Sequence, residues 1–294
     1  MTLHIKTLRP KFVAEASGVN LIGLRDAATL EALRHAMDEV GVLILHDQPF
    51  SNEEQLEFAQ RFDGALHGKT STAVMTKNRF GNEALSDISN VGHDGEILPP
   101  ADRRRVSSLA NRMWHADATF VNPPGRYSLL SARVIPPVPA DTEFADMCHA
   151  YVALDEVTKT SLEGLQVHHS IAYSREVLGF DFSPEEKEKL KGAVHPLVRT
   201  FPNGRRSLYL ASHASSIIGW LLPEARMQLR ELIEHATQPQ FVYRHEWRVG
   251  DLVIWDNRKT MHRGRPFDDT KHRRELRRTT TLDLAHATAV TTAE

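Results

Sequence analysis

Two histidines and one carboxylate are the residues of this chain best suited to hold a reactive metal. His115 and Asp117 stand in Asn111-Arg112-Met113-Trp114-His115-Ala116-Asp117-Ala118-Thr119-Phe120. The segment reads as the end of a strand, where residues two apart project to one side, so both could converge on a single ion. The third candidate, His262, follows the apolar run Leu252-Val253-Ile254-Trp255 and the segment Asp256-Asn257-Arg258-Lys259-Thr260-Met261. Two imidazoles and a carboxylate bind ferrous iron on one face and leave its other positions open. With 16 histidines in the chain an H-x-D pair arises readily by chance, so the pair alone decides nothing.

Arginines follow the third ligand. In Arg273-Arg274-Glu275-Leu276-Arg277-Arg278-Thr279-Thr280-Thr281-Leu282, Arg274 and Arg278 are four apart and share a side of an extended segment. Each guanidinium is a planar fork that grips a carboxylate at two points and keeps its charge. Two forks beside a metal cavity suit two anions, one of them an organic acid cosubstrate. The competing reading is a basic, solvated edge strand.

Taken together, Trp114-His115-x-Asp117, Asp141-Thr142-Glu143-Phe144, Trp255-Asp256-Asn257-Arg258 with His262, and Arg274 with Arg278 resemble the taurine dioxygenase family. Within it the likeness is greatest to the 2,4-dichlorophenoxyacetate dioxygenases, through Asp87 to Val91, Arg126 to Ala132, Glu234 to Gln238 and Phe241 to His245. It runs from about Phe12 to Asp283 and is weakest between His67 and Arg105. The resemblance implies a dioxygenase that uses Fe(II), 2-oxoglutarate and O2. It implies that His115, Asp117 and His262 hold the iron, and that Arg274 and Thr142 take the distal carboxylate of 2-oxoglutarate. Arg278 is implied for the acid group of the primary substrate, with His213 as a second hydrogen-bonding group and Asn111 in the pocket wall. The implied reaction turns an aryloxyacetate into a phenol and glyoxylate, with succinate and CO2. A sulfonate or sulfate ester dioxygenase with the same cofactors is the nearest alternative. A non-enzymatic metal-binding β-sandwich, or a structural zinc site, is the alternative of another class; it leaves the paired arginines without a purpose.

Composition sets limits. The 294 residues are 41% hydrophobic, enough for one substantial core, and no repeat or linker divides them, so one domain over 1–294 is expected. A formal net charge of -2 argues against general affinity for nucleic acid or an anionic membrane. The partner is expected to be a small carboxylic acid; a homo-oligomer remains open. The single cysteine, Cys148, rules out an internal disulfide, suits a reducing compartment and reads as a small buried apolar residue. No signal core or membrane-length apolar run is evident, so a cytoplasmic protein is expected.

The elements that must position these residues read as α+β with strands concentrated in the second half. Leu30, Leu33, Met37 and Val40 recur at helical spacing, with Gly41 as the expected C-cap. Val42 to Leu45 reads as a buried strand. Ser51-Asn52-Glu53-Glu54 and Ser183-Pro184-Glu185-Glu186 are capping boxes that open helices. Leu197 to Phe201 and Ser207 to Ala211 flank Asn203-Gly204 as a hairpin. Pro223 to Ala236 is an amphipathic helix. Phe241 to Trp247 and Leu252 to Trp255 are strands joined by a turn at Gly250-Asp251. Many short strands suit a double-stranded β-helix (jelly roll) core with flanking helices, which the resemblance also implies. Residues 67–112 lack a clear period and lead into the metal segment, so a long active-site lid is expected there. The run Arg103-Arg104-Arg105 within it reads as a solvated face.

Overall fold

The computed structural model describes residues 2–68 and 79–285. Its strands are β1 (His4–Arg9), β2 (Val13–Ser17), β3 (Val42–Leu45), β4 (Ser86–Ser89), β5 (Gly125–Val134), β6 (Thr142–Asp146), β7 (Gln166–His169) and β8 (Ala193–Pro196). They continue as β9 (Val198–Thr200), β10 (Arg206–Leu208), β11 (Ala214–Ile217), β12 (Val242–His245), β13 (Leu252–Asp256), β14 (Thr260–Gly264) and β15 (Glu275–Leu282). Seven form one sheet in the order β1-β2-β3-β13-β5-β15-β4, and β12-β6-β14 form a second.

Strand alternation buries both faces of the large sheet. On one face Leu43, Leu45, Leu252, Ile254 and Leu129 meet two helices, α1 (Ala27–Glu39) and α2 (Asn52–Asp63). On the other, Val42, Ile44, Val253, Trp255 and Leu276 meet Phe144 of the small sheet. Phe144 and Trp255 touch across the gap, with ring centroids 5.5 Å apart. The outer face of the small sheet, through Ala145 and Met261, is covered by Leu229 and Leu232 of the long helix Leu222–Ala236. The architecture is therefore mixed, with two facing sheets between helical layers.

Most local expectations hold. Both capping boxes form, at Ser51 and Ser183. The hairpin of β9 and β10 pairs Val198 with Leu208 across a turn where Gly204 has φ 78°. The turn expected near Gly250-Asp251 does form, and it carries the chain from β12 in the small sheet to β13 in the large one. Three expectations need correction. Val40, in extended conformation, caps α1; Gly41 is required for a different reason, since a Cβ there would meet the Thr260 methyl at 2.8 Å. Of the stretch 67–112, residues 69–78 lie outside the described residues. The remainder is more ordered than a loop: β4 pairs with β15, and a short helix, Arg103–Ser108, runs into a 3-10 turn, Leu109–Arg112. In the arginine run only Arg103 is exposed. Arg104 pairs with Asp102 at 2.9 Å, while Arg105 reaches Asp269 at 2.7 Å. The solvated-face reading therefore holds for Arg103 but not for Arg105, which ties the helix to Asp269.

Candidate active site

His115 does not end a regular strand. It makes one isolated antiparallel bridge to His262 of β14, at the free edge of the small sheet. His115 N–H donates to His262 O at 3.0 Å and His262 N–H to His115 O at 2.7 Å. A pair that exchanges both backbone bonds points its side chains to the same face, which sets the two imidazoles side by side. Asp117 joins them two residues on, before the chain turns at Ala118 with φ 54°. Gly125 makes the turn possible: a Cβ there would lie 2.7 Å from Asp117 O.

The three side chains offer ligand atoms that all lie within 4.8 Å of one another, and all three are buried. His115 Nε2 is 3.8 Å from Asp117 Oδ1, and His262 Nε2 is 3.8 Å from Asp117 Oδ2. His115 Nδ1 donates to Met113 O at 2.8 Å, leaving the Nε2 lone pair toward the cluster. Burial lowers the pKa of both histidines, with Asp117 opposing, so both are neutral at pH 7. Burial alone would raise Asp117; Arg278, His262, His115 and the Ser128 hydrogen bond outweigh it and hold the carboxyl down to about 2. Two neutral imidazoles and one ionised carboxylate fit a divalent cation with open positions.

Behind Asp117 lies a network that the motifs alone do not reveal. Asn257 Oδ1 accepts from Asp117 N–H at 2.9 Å and from the Trp255 indole N–H at 3.0 Å. Asn257 Nδ2 donates to Ser128 Oγ at 2.9 Å, and Ser128 Oγ–H donates to Asp117 Oδ2 at 2.7 Å. Thr280 Oγ1 lies 3.1 Å from Ser128 Oγ. Asn257 belongs to the Trp255-to-Arg258 motif and Ser128 to the Arg126-to-Ala132 segment, but neither segment, nor the threonine run that holds Thr280, marks the hydrogen bonds that join them.

Two adjoining cavities open beside the cluster, of ≈ 190 Å³ and ≈ 110 Å³. Asn111, His115 and Arg278 line both. His213 and Asp117 line the larger, and Thr142, Arg274 and His262 the smaller. All eight sequence-derived site residues are thus brought together. Arg278 Nη1 donates to Asp117 Oδ1. Arg274 has its Nε buried without a partner; burial pushes its pKa down to about 10, opposed by Asp141, so it stays charged. Trp247 Nε1 donates to Thr142 Oγ1 at 2.9 Å, so the Thr142 hydroxyl can still donate. His213 Nδ1 lies 2.9 Å from Ser174 Oγ, and its ring meets Phe120 edge-on at 4.9 Å. Trp255 packs against His262 at 4.5 Å, while Arg263 covers the Trp114 ring at 4.5 Å.

Residues 4–280 match the taurine catabolism dioxygenase TauD, TfdA family, and the chain belongs to that family. It is 43% identical to the alpha-ketoglutarate-dependent 2,4-dichlorophenoxyacetate dioxygenase of Burkholderia sp. (strain RASC), across 96% of this chain and 95% of that one. It is 36% identical to the (S)-phenoxypropionate/alpha-ketoglutarate-dioxygenase of Sphingobium herbicidovorans, over 92% and 91%. Among solved structures, AAD-2 in complex with Mn(II) and N-oxalylglycine superposes with a TM-score of 0.87 at 43% identity, covering 96% of this chain and 97% of that one. Among the described residues no helix is long and apolar enough to cross a membrane.

Proposed function

We propose that the protein is an Fe(II)- and 2-oxoglutarate-dependent dioxygenase that hydroxylates an aryloxyacetate-type carboxylic acid, with O2 as cosubstrate. The observation that carries this reading is a buried His115, Asp117 and His262 set flanked by two cavities that share Arg278, one of which is lined by Arg274, whose Nε is buried and unpartnered. His115 Nε2, His262 Nε2 and an Asp117 oxygen would hold the ion. Bound iron, with 2-oxoglutarate and O2, supplies an oxidation that yields succinate and CO2 and delivers one oxygen atom to a C–H bond.

The protein's own groups then bind, orient and exclude water. Arg274 supplies the counter-charge for the distal carboxylate of 2-oxoglutarate, and the Thr142 hydroxyl supplies a hydrogen bond. Arg278 takes the acid group of the primary substrate, while His213 and Asn111 shape the wall around it. Hydroxylation beside the ether oxygen gives a hemiacetal; its hydroxyl proton leaves, the C–O bond to the aryl oxygen breaks, and phenol and glyoxylate separate. The facing sheets suit a double-stranded β-helix in one domain, with residues 79–112 as part of a lid over the site.

Succinate and phenol should be measured together with aryloxyacetates, and succinate with taurine and alkyl sulfates. Equimolar phenol and succinate from the aryloxyacetates is the expected result. Succinate coupled only to sulfite or sulfate release would replace the substrate reading with the sulfonate or sulfate ester one. Arg278→Ala should raise KM for the aryloxyacetate; an unchanged KM removes Arg278 from that task.

A further inference from the structure

Arg175 has no task in the reaction described above. It sits in the short helix Ile171–Glu176, is 7% exposed, and lines the larger cavity with Asp117, Phe120, His213 and Arg278. Its Nη1 donates to Ser174 Oγ at 3.1 Å, its Nε is buried without a partner, and no described carboxylate pairs with it. Each other arginine lining this cavity has such a partner: Arg79 pairs with Asp87 at 2.8 Å, Arg104 with Asp102 at 2.9 Å, and Arg278 with Asp117. A buried guanidinium without a counter-ion is costly, and a fold that keeps one beside a reactive centre holds it for an anion. The smaller cavity shows the same arrangement at Arg274.

Neutral His213 cannot replace it. Ser174 Oγ has one hydrogen, and Ile171 O, an acceptor only, lies 2.8 Å away. His213 Nδ1 must then donate to Ser174, so its Nε2 carries a lone pair that repels a carboxylate. Burial, then Arg278, depresses the Arg175 pKa to about 10, which leaves the group charged and near Arg278.

We propose that Arg175, together with Arg278, anchors the carboxylate of the primary substrate. The inference rests on the reading of the protein as a dioxygenase of carboxylic acids and sharpens its substrate class. An acid group held here lies next to His115 and Asp117, so the reacting C–H is the one adjacent to the carboxylate. The aryl part then extends along Ile88, Val91 and Leu98, which form apolar lining of the same cavity.

The test compares phenoxyacetate with its neutral amide, phenoxyacetamide, by equilibrium dialysis against Fe(II)- and 2-oxoglutarate-loaded enzyme without oxygen. Wild type should prefer the acid, and Arg175→Gln should reduce the amide-to-acid Kd ratio by roughly a hundredfold. A ratio within threefold of wild type overturns the proposal. Because Arg175 has no counter-ion, the ligand-free Arg175→Gln protein should melt no lower than wild type. Failure to fold, or a melt lower by more than about 5 °C, marks Arg175 as structural and also overturns it. Wild type that binds phenoxyacetate in preference to the amide but releases no phenol defeats the proposed reaction and leaves the anchor standing. Phenol release with an unchanged ratio in Arg175→Gln does the reverse.

Discussion

Asn257→Leu should separate the metal ligands from their support. The side chain is buried, and its oxygen accepts from two buried donors, Asp117 N–H at 2.9 Å and Trp255 Nε1–H at 3.0 Å. Leucine fills a similar volume but strands both donors, at about 1–3 kcal/mol each, so roughly 2–6 kcal/mol in all. Unfolding entropy of about 2.1 cal/mol/K per residue gives 294 residues about 0.6 kcal/mol/K, so the melt should fall by roughly 3–10 °C. Ser128 also loses its donor from Asn257 Nδ2, and Ser128 orients Asp117 Oδ2. Losing support of this kind weakens metal binding by about 10–100-fold. Differential scanning calorimetry reads the first effect, and anaerobic Fe(II) titration in the presence of 2-oxoglutarate reads the second. A lowered melt with Fe(II) affinity within threefold of wild type would refute the positioning argument, because the network would then serve folding alone.

Arg274→Ala should raise KM for 2-oxoglutarate by about a hundredfold while moving KM for the primary substrate far less, since the lost partner is a desolvated charge; equal changes in both constants would contradict the division of the two cavities. His169 is fully buried beside His195 and Tyr209, and burial, then His195, depresses its pKa well below the usual value. The unfolded chain takes up this proton below about pH 6.5 and the folded protein does not, so stability falls with pH by up to about 1.4 kcal/mol per unit. Urea unfolding between pH 7.5 and 5.5, a window centred on the unfolded pKa, should show a slope shallower by about 0.7 kcal/mol per unit (about 1.4 kcal/mol across the window) in His169→Gln, and equal slopes would show that another group governs acid stability. Cys148 is buried beside Asp146, and burial, then that charge, raises its thiol pKa to about 12. Native protein should therefore resist a thiol reagent until unfolded; stoichiometric labelling of the folded enzyme within minutes would contradict the packing.

The site is legible in the sequence where its members are rare residue types at fixed offsets. His115 and Asp117 share a side because they are two apart, and Arg274 and Arg278 because they are four apart near a strand. What places His262 against them is a single backbone bridge between segments 147 residues apart (262 − 115 = 147), which no local pattern encodes. Arg175 is hidden for a related reason. In Ile171-Ala172-Tyr173-Ser174-Arg175-Glu176 it reads as an exposed helix cation, and only the packing of that helix against β11 makes it interior. Arg105 is similar, since its carboxylate partner Asp269 lies 164 residues away. The strand β4 escapes the pattern because Asp87 and Ser89 are satisfied by ion pairs and hydrogen bonds with Arg79 and Arg277, not by apolar alternation.

The ionisable residues of the site share one physical property. Arg175 and Arg274 are cations with a buried, unpartnered Nε and no described carboxylate in an ion pair, and His115, His213 and His262 are imidazoles kept neutral chiefly by burial. Each opposes folding, and a fold tolerates them only where rigid neighbours hold them in place. The two facing sheets provide that support: Trp255 of β13 and Phe144 of β6 close around the His262 ring at 4.5 Å and 6.1 Å. An anion bound at either guanidinium removes part of this opposition, so each carboxylate ligand should stabilise the protein beyond what its contact area alone would give. Selectivity for acids then follows from the unliganded fold itself: a neutral ligand of the same shape fills the cavity but leaves the cation unpaired, and gains none of that relief.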